Sequence, residues 1–142
     1  MQVRKDYLAP YRWAKQELGE CEIQGSLHNR RILFYHSFAL MQAKEDEVPW
    51  CSSFMCAASE LSGYPSTKSA AAKSWENYGV PGDGSPGDIA LFNFNGSFHV
   101  AFVNSKFSQG STLVECLGGN QGNKVSVVNF KSSGLVCFRR FP

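Results

Sequence analysis

Val48-Pro49-Trp50-Cys51-Ser52-Ser53-Phe54 is the stretch that organises the rest of the chain. Pro49 is a poor helix-interior residue and holds its neighbour extended, so a helix is expected to begin just after it. From there Phe54, Met55, Ala58 and Leu61 recur at the spacing of one helical face. Cys51 then falls in the first turn, among backbone N–H groups with no intrahelical acceptor and at the positive end of the helix dipole. Both favour thiolate, the nucleophilic form. Free cysteine is also among the most buried residue types, so position alone leaves two readings open: a nucleophile, or a small buried hydrophobe.

Around this stretch the N-terminal half reads as helical. Leu8 to Leu18 has Pro10 in its first turn, shares a face through Tyr11, Ala14 and Leu18, and ends at Gly19. Asn29 is the N-cap residue of a second helix carrying Ile32, Tyr35, His36 and Ala39. The Cys51 helix is expected to stop near Gly63-Tyr64-Pro65. A further helix through Ala70, Ala71, Ala72, Trp75 and Tyr78 is expected to follow Ser66 or Thr67 and end at Gly79. Beyond the turn-rich segment Pro81-Gly82-Asp83-Gly84-Ser85-Pro86-Gly87-Asp88 the texture changes. Short runs rich in Val, Phe and Leu follow: Ile89–Phe94, Phe98–Ser105, Thr112–Leu117, Lys124–Phe130 and Leu135–Phe138. The gaps between them are too short for crossover helices, so the sheet is expected to be antiparallel. Helices first and strands second give an α+β fold, and residues 1–142 are expected to form one domain.

Composition narrows the classes of function. A net charge of +2 is too small to argue for nucleic acid. No run of eighteen apolar residues is present, so no membrane span is expected. The N-terminal residues lack the apolar core of a secretory signal, so synthesis in the cytoplasm without such a signal is expected. Five cysteines, an odd number with no framework spacing, point to a reducing compartment with at least one free thiol. Cys56 lies five residues beyond Cys51, about 140° around the same helix, so the two point apart and do not suit one metal. No cofactor is expected.

In the second strand run, alternation puts His99, Ala101 and Val103 on one face and Phe98, Val100 and Phe102 on the other. His99 is expected to point toward the Cys51 helix; the competing reading is a satisfied, half-buried histidine. His36, on a helix among apolar neighbours, reads as packing, whereas His28, in a loop, suits a cleft. The third strand run ends in Leu117-Gly118-Gly119-Asn120-Gln121-Gly122-Asn123. A side-chain amide there can accept from an imidazole N–H and fix its tautomer, the third role in a Cys–His–Asn arrangement. The same residues are good hairpin chemistry, and spacing does not choose between the two.

Taken in order, these segments resemble the CHAP group of cysteine, histidine-dependent amidohydrolases/peptidases, and more broadly the NlpC-type papain-like cell-wall hydrolases. The resemblance is carried by Glu17-Leu18-Gly19 with Glu22-Ile23-Gln24-Gly25, His28-Asn29-Arg30-Arg31-Ile32, Asp46-Glu47-Val48-Pro49-Trp50-Cys51-Ser52-Ser53-Phe54, and Ser69-Ala70 with Ser74-Trp75. It continues through Pro86-Gly87-Asp88-Ile89, His99-Val100-Ala101-Phe102, Leu117-Gly118-Gly119-Asn120-Gln121 and Arg139-Arg140-Phe141-Pro142. It implies a papain-like fold, with Cys51 as nucleophile, His99 as base and Asn120 as orienting residue. Many relatives carry a glutamate two positions before this asparagine, where this chain has Gly118. Trp50, His28 and Gln121 are the expected substrate-binding residues, although Trp50 equally suits packing. The implied partner is bacterial peptidoglycan, cut at an amide by a monomer acting at the cell wall, with a phage endolysin among the roles implied. Other classes on such a fold are a non-catalytic wall-binding or virion structural module and an enzyme acting on protein substrates.

Overall fold

Asn29 does what its side chain predicts. Its Oδ1 accepts from the backbone N–H of Arg31 at 2.7 Å and of Ile32 at 3.3 Å, starting a helix where four donors would otherwise be unpaired. The computed structural model of the chain describes residues 6–23, 29–39 and 50–142. Within them the helices are α1 (Ala9–Gln16), α2 (Arg30–Ser37) and α3 (Cys51–Leu61). α1 has Pro10 in its first turn, buries Tyr11 and Ala14, and is followed by Gly19 at φ 98°. His28 and the acidic segment Glu45–Glu47 lie outside the described residues.

α3 is not the one-faced helix that its apolar spacing suggests. Every residue from Cys51 to Ser59 is buried, and Leu61 is 46% exposed. The helix runs between α1 and α2 on one side and the sheet on the other, so both of its faces are core. Polar residues inside it are satisfied locally. Ser52 Oγ donates to the Ser69 carbonyl at 2.6 Å and accepts from Trp75 Nε1 at 2.8 Å, and Ser59 Oγ donates to the Met55 carbonyl at 2.7 Å.

The expected fourth helix is instead a single 3₁₀ turn, Ala72–Trp75. The preceding residues spend their bonding capacity on side chains. Thr67 and Ser74 hydroxyls pair at 2.7 Å, Ser69 Oγ takes the Ala71 N–H at 3.1 Å, and Lys68 sits at φ 54°. Such local bonds compete with helix propagation.

The strands are β1 (Val80–Pro81), β2 (Ile89–Phe94), β3 (Ser97–Val103), β4 (Leu113–Gly118), β5 (Ser126–Lys131) and β6 (Leu135–Arg140). They form one antiparallel sheet in the order β1-β6-β2-β3-β4-β5. The α+β class and the antiparallel sheet are therefore as expected. β1, two residues long and containing a proline, carries too little pattern to read from sequence. Asn95 and Gly96, both at positive φ, make the two-residue turn that fixes the β2–β3 register at Phe94 opposite Ser97.

Each sheet face covers its own core. Ile89, Leu91, Val100, Phe102 and Leu117 pack with the helices. Ala90, Phe92, Ala101, Val103, Val114 and Cys116 form a second cluster on the opposite face, flanked by Phe94, Phe107, Phe130, Leu135 and Phe138. This corrects the placement of His99. It alternates with Ala101 and Val103, and that face looks away from α3, because the bulkier Val100 and Phe102 fill the helix side.

Candidate functional site

Cys51 is the first residue of α3, 8% exposed. The bond from Phe54 N–H to the Trp50 carbonyl, 2.9 Å, closes the first turn. The backbone N–H groups of Cys51 and Ser52 are turned to the sulfur, and so is that of Val100 on β3. Burial acts the other way and outweighs them, holding the thiol above its ordinary value of 9.0. The expectation that the helix start alone would favour thiolate is thus overturned: the resting group is a thiol.

His99 stands beside Val100 but on the other face of β3. Its half-buried ring packs against Phe130, 4.9 Å between centroids at 36°. Its Nε2 lies 3.0 Å from Gln121 Oε1. Gln121, 4% exposed, uses its amide nitrogen on two backbone carbonyls, Cys116 at 3.2 Å and Ser126 at 2.8 Å. With both amide hydrogens committed to carbonyls, the amide oxygen must face the ring, so the ring Nε2 carries the hydrogen. Nδ1 is left with its lone pair and makes no hydrogen bond among the described residues. Burial lowers the His99 pKa below 6.5, and the bond to Gln121 raises it by less. The resting pair is therefore neutral thiol and neutral imidazole.

The orienting amide is thus Gln121 and not Asn120. Asn120 takes φ 58°, the left-handed conformation that asparagine tolerates better than most residues, and no hydrogen bond reaches its side chain among the described residues. The turn it makes returns Gln121 beneath His99. The two glycines before it serve close approach. A Cβ on Gly118 would stand 2.6 Å from Gln121 Oε1, and one on Gly119 would stand 2.7 Å from the Trp50 ring.

The remaining expected site residues separate in the same way. Trp50 has 0% exposure, stacks on Tyr35 at 5.9 Å and 28°, and donates from Nε1 to Glu22 Oε1 at 2.8 Å. It is a core anchor for the start of α3, not a cleft wall, because its polar edge is already paired inside. Gln121 likewise is no cleft residue: it holds His99. His28 falls outside the described residues. His36 is buried with Nδ1 at 2.8 Å from Ser53 Oγ, the packing role expected of it. Glu115 accepts from Asn104 Nδ2 at 2.6 Å and Ser105 Oγ at 2.8 Å, and so belongs to a different corner of the sheet.

Glu22 and the Val100 amide were not readable from sequence as parts of this site. The segment holding Glu22 bonds to the turn that follows Gln121: Glu22 N–H to the Asn123 carbonyl at 2.9 Å, and Val125 N–H to the Glu20 carbonyl at 2.8 Å. Glu22 therefore ties the residue before the thiol to the loop that orients the histidine. Cys51 and His99 do not hydrogen-bond to each other among the described residues; the N–H turned to the sulfur is that of Val100, the residue after His99. A cavity of about 290 Å³, lined by Thr112, Leu113, Lys131, Ser132 and Ser133, opens at the opposite end of the β4–β5 pair and is separate from this site. Among the described residues no helix is long and apolar enough to cross a membrane. No family model, no curated protein and no solved structure matches the chain.

Proposed function

We propose that this chain is a papain-like peptidoglycan hydrolase that cleaves an amide bond through Cys51 and His99. The observation that carries the reading is the tautomer lock. Gln121 holds the hydrogen on His99 Nε2, leaving Nδ1 as a proton acceptor one residue from the Val100 amide that touches the Cys51 sulfur. A general base needs such an open lone pair beside the nucleophile. Substrate entering at the sulfur displaces the Val100 N–H, and rotation of the Cys51 side chain brings Sγ toward Nδ1. His99 takes the thiol proton as sulfur attacks the carbonyl carbon. The same proton goes to the leaving amine, and water then hydrolyses the acyl-enzyme. The Cys51 and Val100 N–H groups are the donors nearest a developing oxyanion.

The test is digestion of purified peptidoglycan followed by mass spectrometry. The reading expects new amino termini or freed stem peptides and identifies the bond from their masses; unchanged muropeptides over a long incubation refute it. The unmade Cys51–His99 bond favours a second reading, a wall-binding module without turnover. That reading predicts co-sedimentation with cell walls and no new amines.

Two further outcomes follow from the site. The active form has neutral His99 and protonated Cys51, so activity should hold between their two pKa values. His99 is lowered below 6.5 and Cys51 raised above 9.0, so the plateau of kcat/KM against pH should be wide. Rate should be lost on the acid side as His99 gains a proton, with a midpoint below 6.5, and on the alkaline side above 9.0. A single alkaline rise would contradict the neutral pair. Gln121→Ala should lower kcat by about 10²-fold, the scale of a lost positioned general base or its orientation. It should also destabilise the protein by about 1–3 kcal/mol, because the buried Cys116 carbonyl and the part-buried Ser126 carbonyl lose this donor. Asn120→Ala should cost little activity, and the reverse ranking in a steady-state assay would restore Asn120 as the orienting residue.

A further inference from the structure

β3 is paired along its whole length with β2 but meets β4 only at Phe102 and Val103. Toward β4 the ladder therefore stops at Phe102; Val100 and Ala101 are buried there, and the unpaired stretch that reaches the surface is Ser97 with half-buried Phe98. Which backbone groups point into it follows from the bonds at the paired end. Val103 N–H donates to the Asp88 carbonyl at 2.8 Å and its carbonyl accepts from Gly87 at 2.9 Å, so Val103 faces β2. Asn104 N–H donates to the Glu115 carbonyl at 2.9 Å, so Asn104 faces β4. Antiparallel strands alternate strictly, so Ala101 and His99 bond to β2, while Phe102, Val100 and Phe98 face the other way. Phe102 meets β4, and Val100 N–H meets the Cys51 sulfur. Phe98 N–H and C=O face the open edge with no hydrogen-bond partner among the described residues.

We propose that this edge is the docking register for the peptide part of the substrate, which adds to β3 as an extended strand and bonds to both backbone groups of Phe98. The proposal rests on Cys51 being the nucleophile. The argument for this occupant is continuity with the thiol. Phe98 and Val100 are successive groups on one edge, two residues or about 7 Å apart, and the second is on the sulfur. A peptide residue paired with Phe98 places an adjoining carbonyl within one residue of Cys51. Main-chain bonds of this kind give affinity without demanding a particular side chain, so the substrate class is an extended, sugar-free peptide segment and not the glycan.

The experiment uses ¹⁵N-labelled Cys51→Ala protein and two probes, a synthetic stem tetrapeptide and pentaglycine. Saturation with at least one of them is expected to slow amide exchange at Phe98 by about tenfold or more, with smaller changes at Ala101, which already bonds to β2. Saturable binding of a probe that leaves Phe98 unchanged overturns the proposal. So does failure of both probes to bind while glycan-containing fragments bind. Kinetics give a second readout. Proline at an edge position whose N–H faces outward leaves the β2 ladder intact, so Phe98→Pro should raise KM about tenfold over Phe98→Leu, with kcat changed less. Equal KM values in the two variants count against it. The exchange readout needs no turnover, so an inactive wild-type enzyme with Phe98 protected would refute the hydrolase reading and keep the docking edge.

Discussion

Cys51→Ala should abolish release of amines from peptidoglycan while leaving the fold in place. If the site works as a unit, removing nucleophile or base costs about 10⁵–10⁶ in kcat, as deletion of either does in a serine protease triad. The residue loses one sulfur atom from a position that is 8% exposed, so the melting temperature should move by only a few degrees. His99→Ala should match it in activity loss, because a thiol held protonated by burial cannot attack without a base. The two variants combined should be no worse than either alone. The measurement is amine release from purified walls, with circular dichroism to confirm folding. Wild-type-like release by Cys51→Ala would end the covalent reading, and loss in His99→Ala alone would leave only a structural role for the thiol.

Asp88→Ala should be the most destabilising substitution outside the apolar core. Asp88 has 0% exposure. Its Oδ2 accepts from the N–H groups of Asp83, Gly84 and Ser85, each at 3.1 Å, and from Arg140 Nη2 at 3.0 Å, while its Oδ1 takes Arg140 Nε at 2.7 Å. One carboxylate therefore closes the turn before β2 and fixes β6 next to it. Removing it leaves the N–H groups of Asp83 and Gly84 without an acceptor and takes from Arg140 both of its bonds to the buried carboxylate, a loss of about 3–5 kcal/mol. That is a large part of the roughly 5–15 kcal/mol that stabilises a domain. The comparison is Asp83→Ala. Asp83 reaches the same Arg140 at 2.8 Å, but its side chain is 64% exposed, so water replaces most of what is lost. Urea midpoints check this, with a large drop for Asp88→Ala and a small one for Asp83→Ala. Equal midpoints would show that the buried cluster contributes no more than the surface pair.

Much of the architecture is local chemistry. The cap at Asn29, the proline in α1, the Asn95-Gly96 hairpin and the alternation of β2 and β3 each depend on neighbours a few residues away. The same holds for Cys51 at the start of α3. The residues that read wrongly are those whose bonds are made at long range. Trp50 looks like a cleft aromatic until Glu22 takes its indole N–H. The segment after Thr67 has helical composition, but Ser52 and Ser74 draw its polar groups out of a helical ladder.

The sequence by itself determined an α+β chain, a thiol at a helix start, a histidine at the start of a strand, and an amide-bearing turn after two glycines. Period, caps and turn residues report these because each is set within one or two turns of chain. Only the tertiary structure decided which sheet face His99 occupies, which of two adjacent amides holds it, and in what charge state Cys51 rests. Those depend on strand pairing and burial. A side chain at Gly118 would collide with Gln121 and with Ala101 from another strand, and the thiol stays protonated because burial outweighs the N–H of Val100, also from another element, that is turned to it. Neither neighbour is close in sequence, so no local pattern records them.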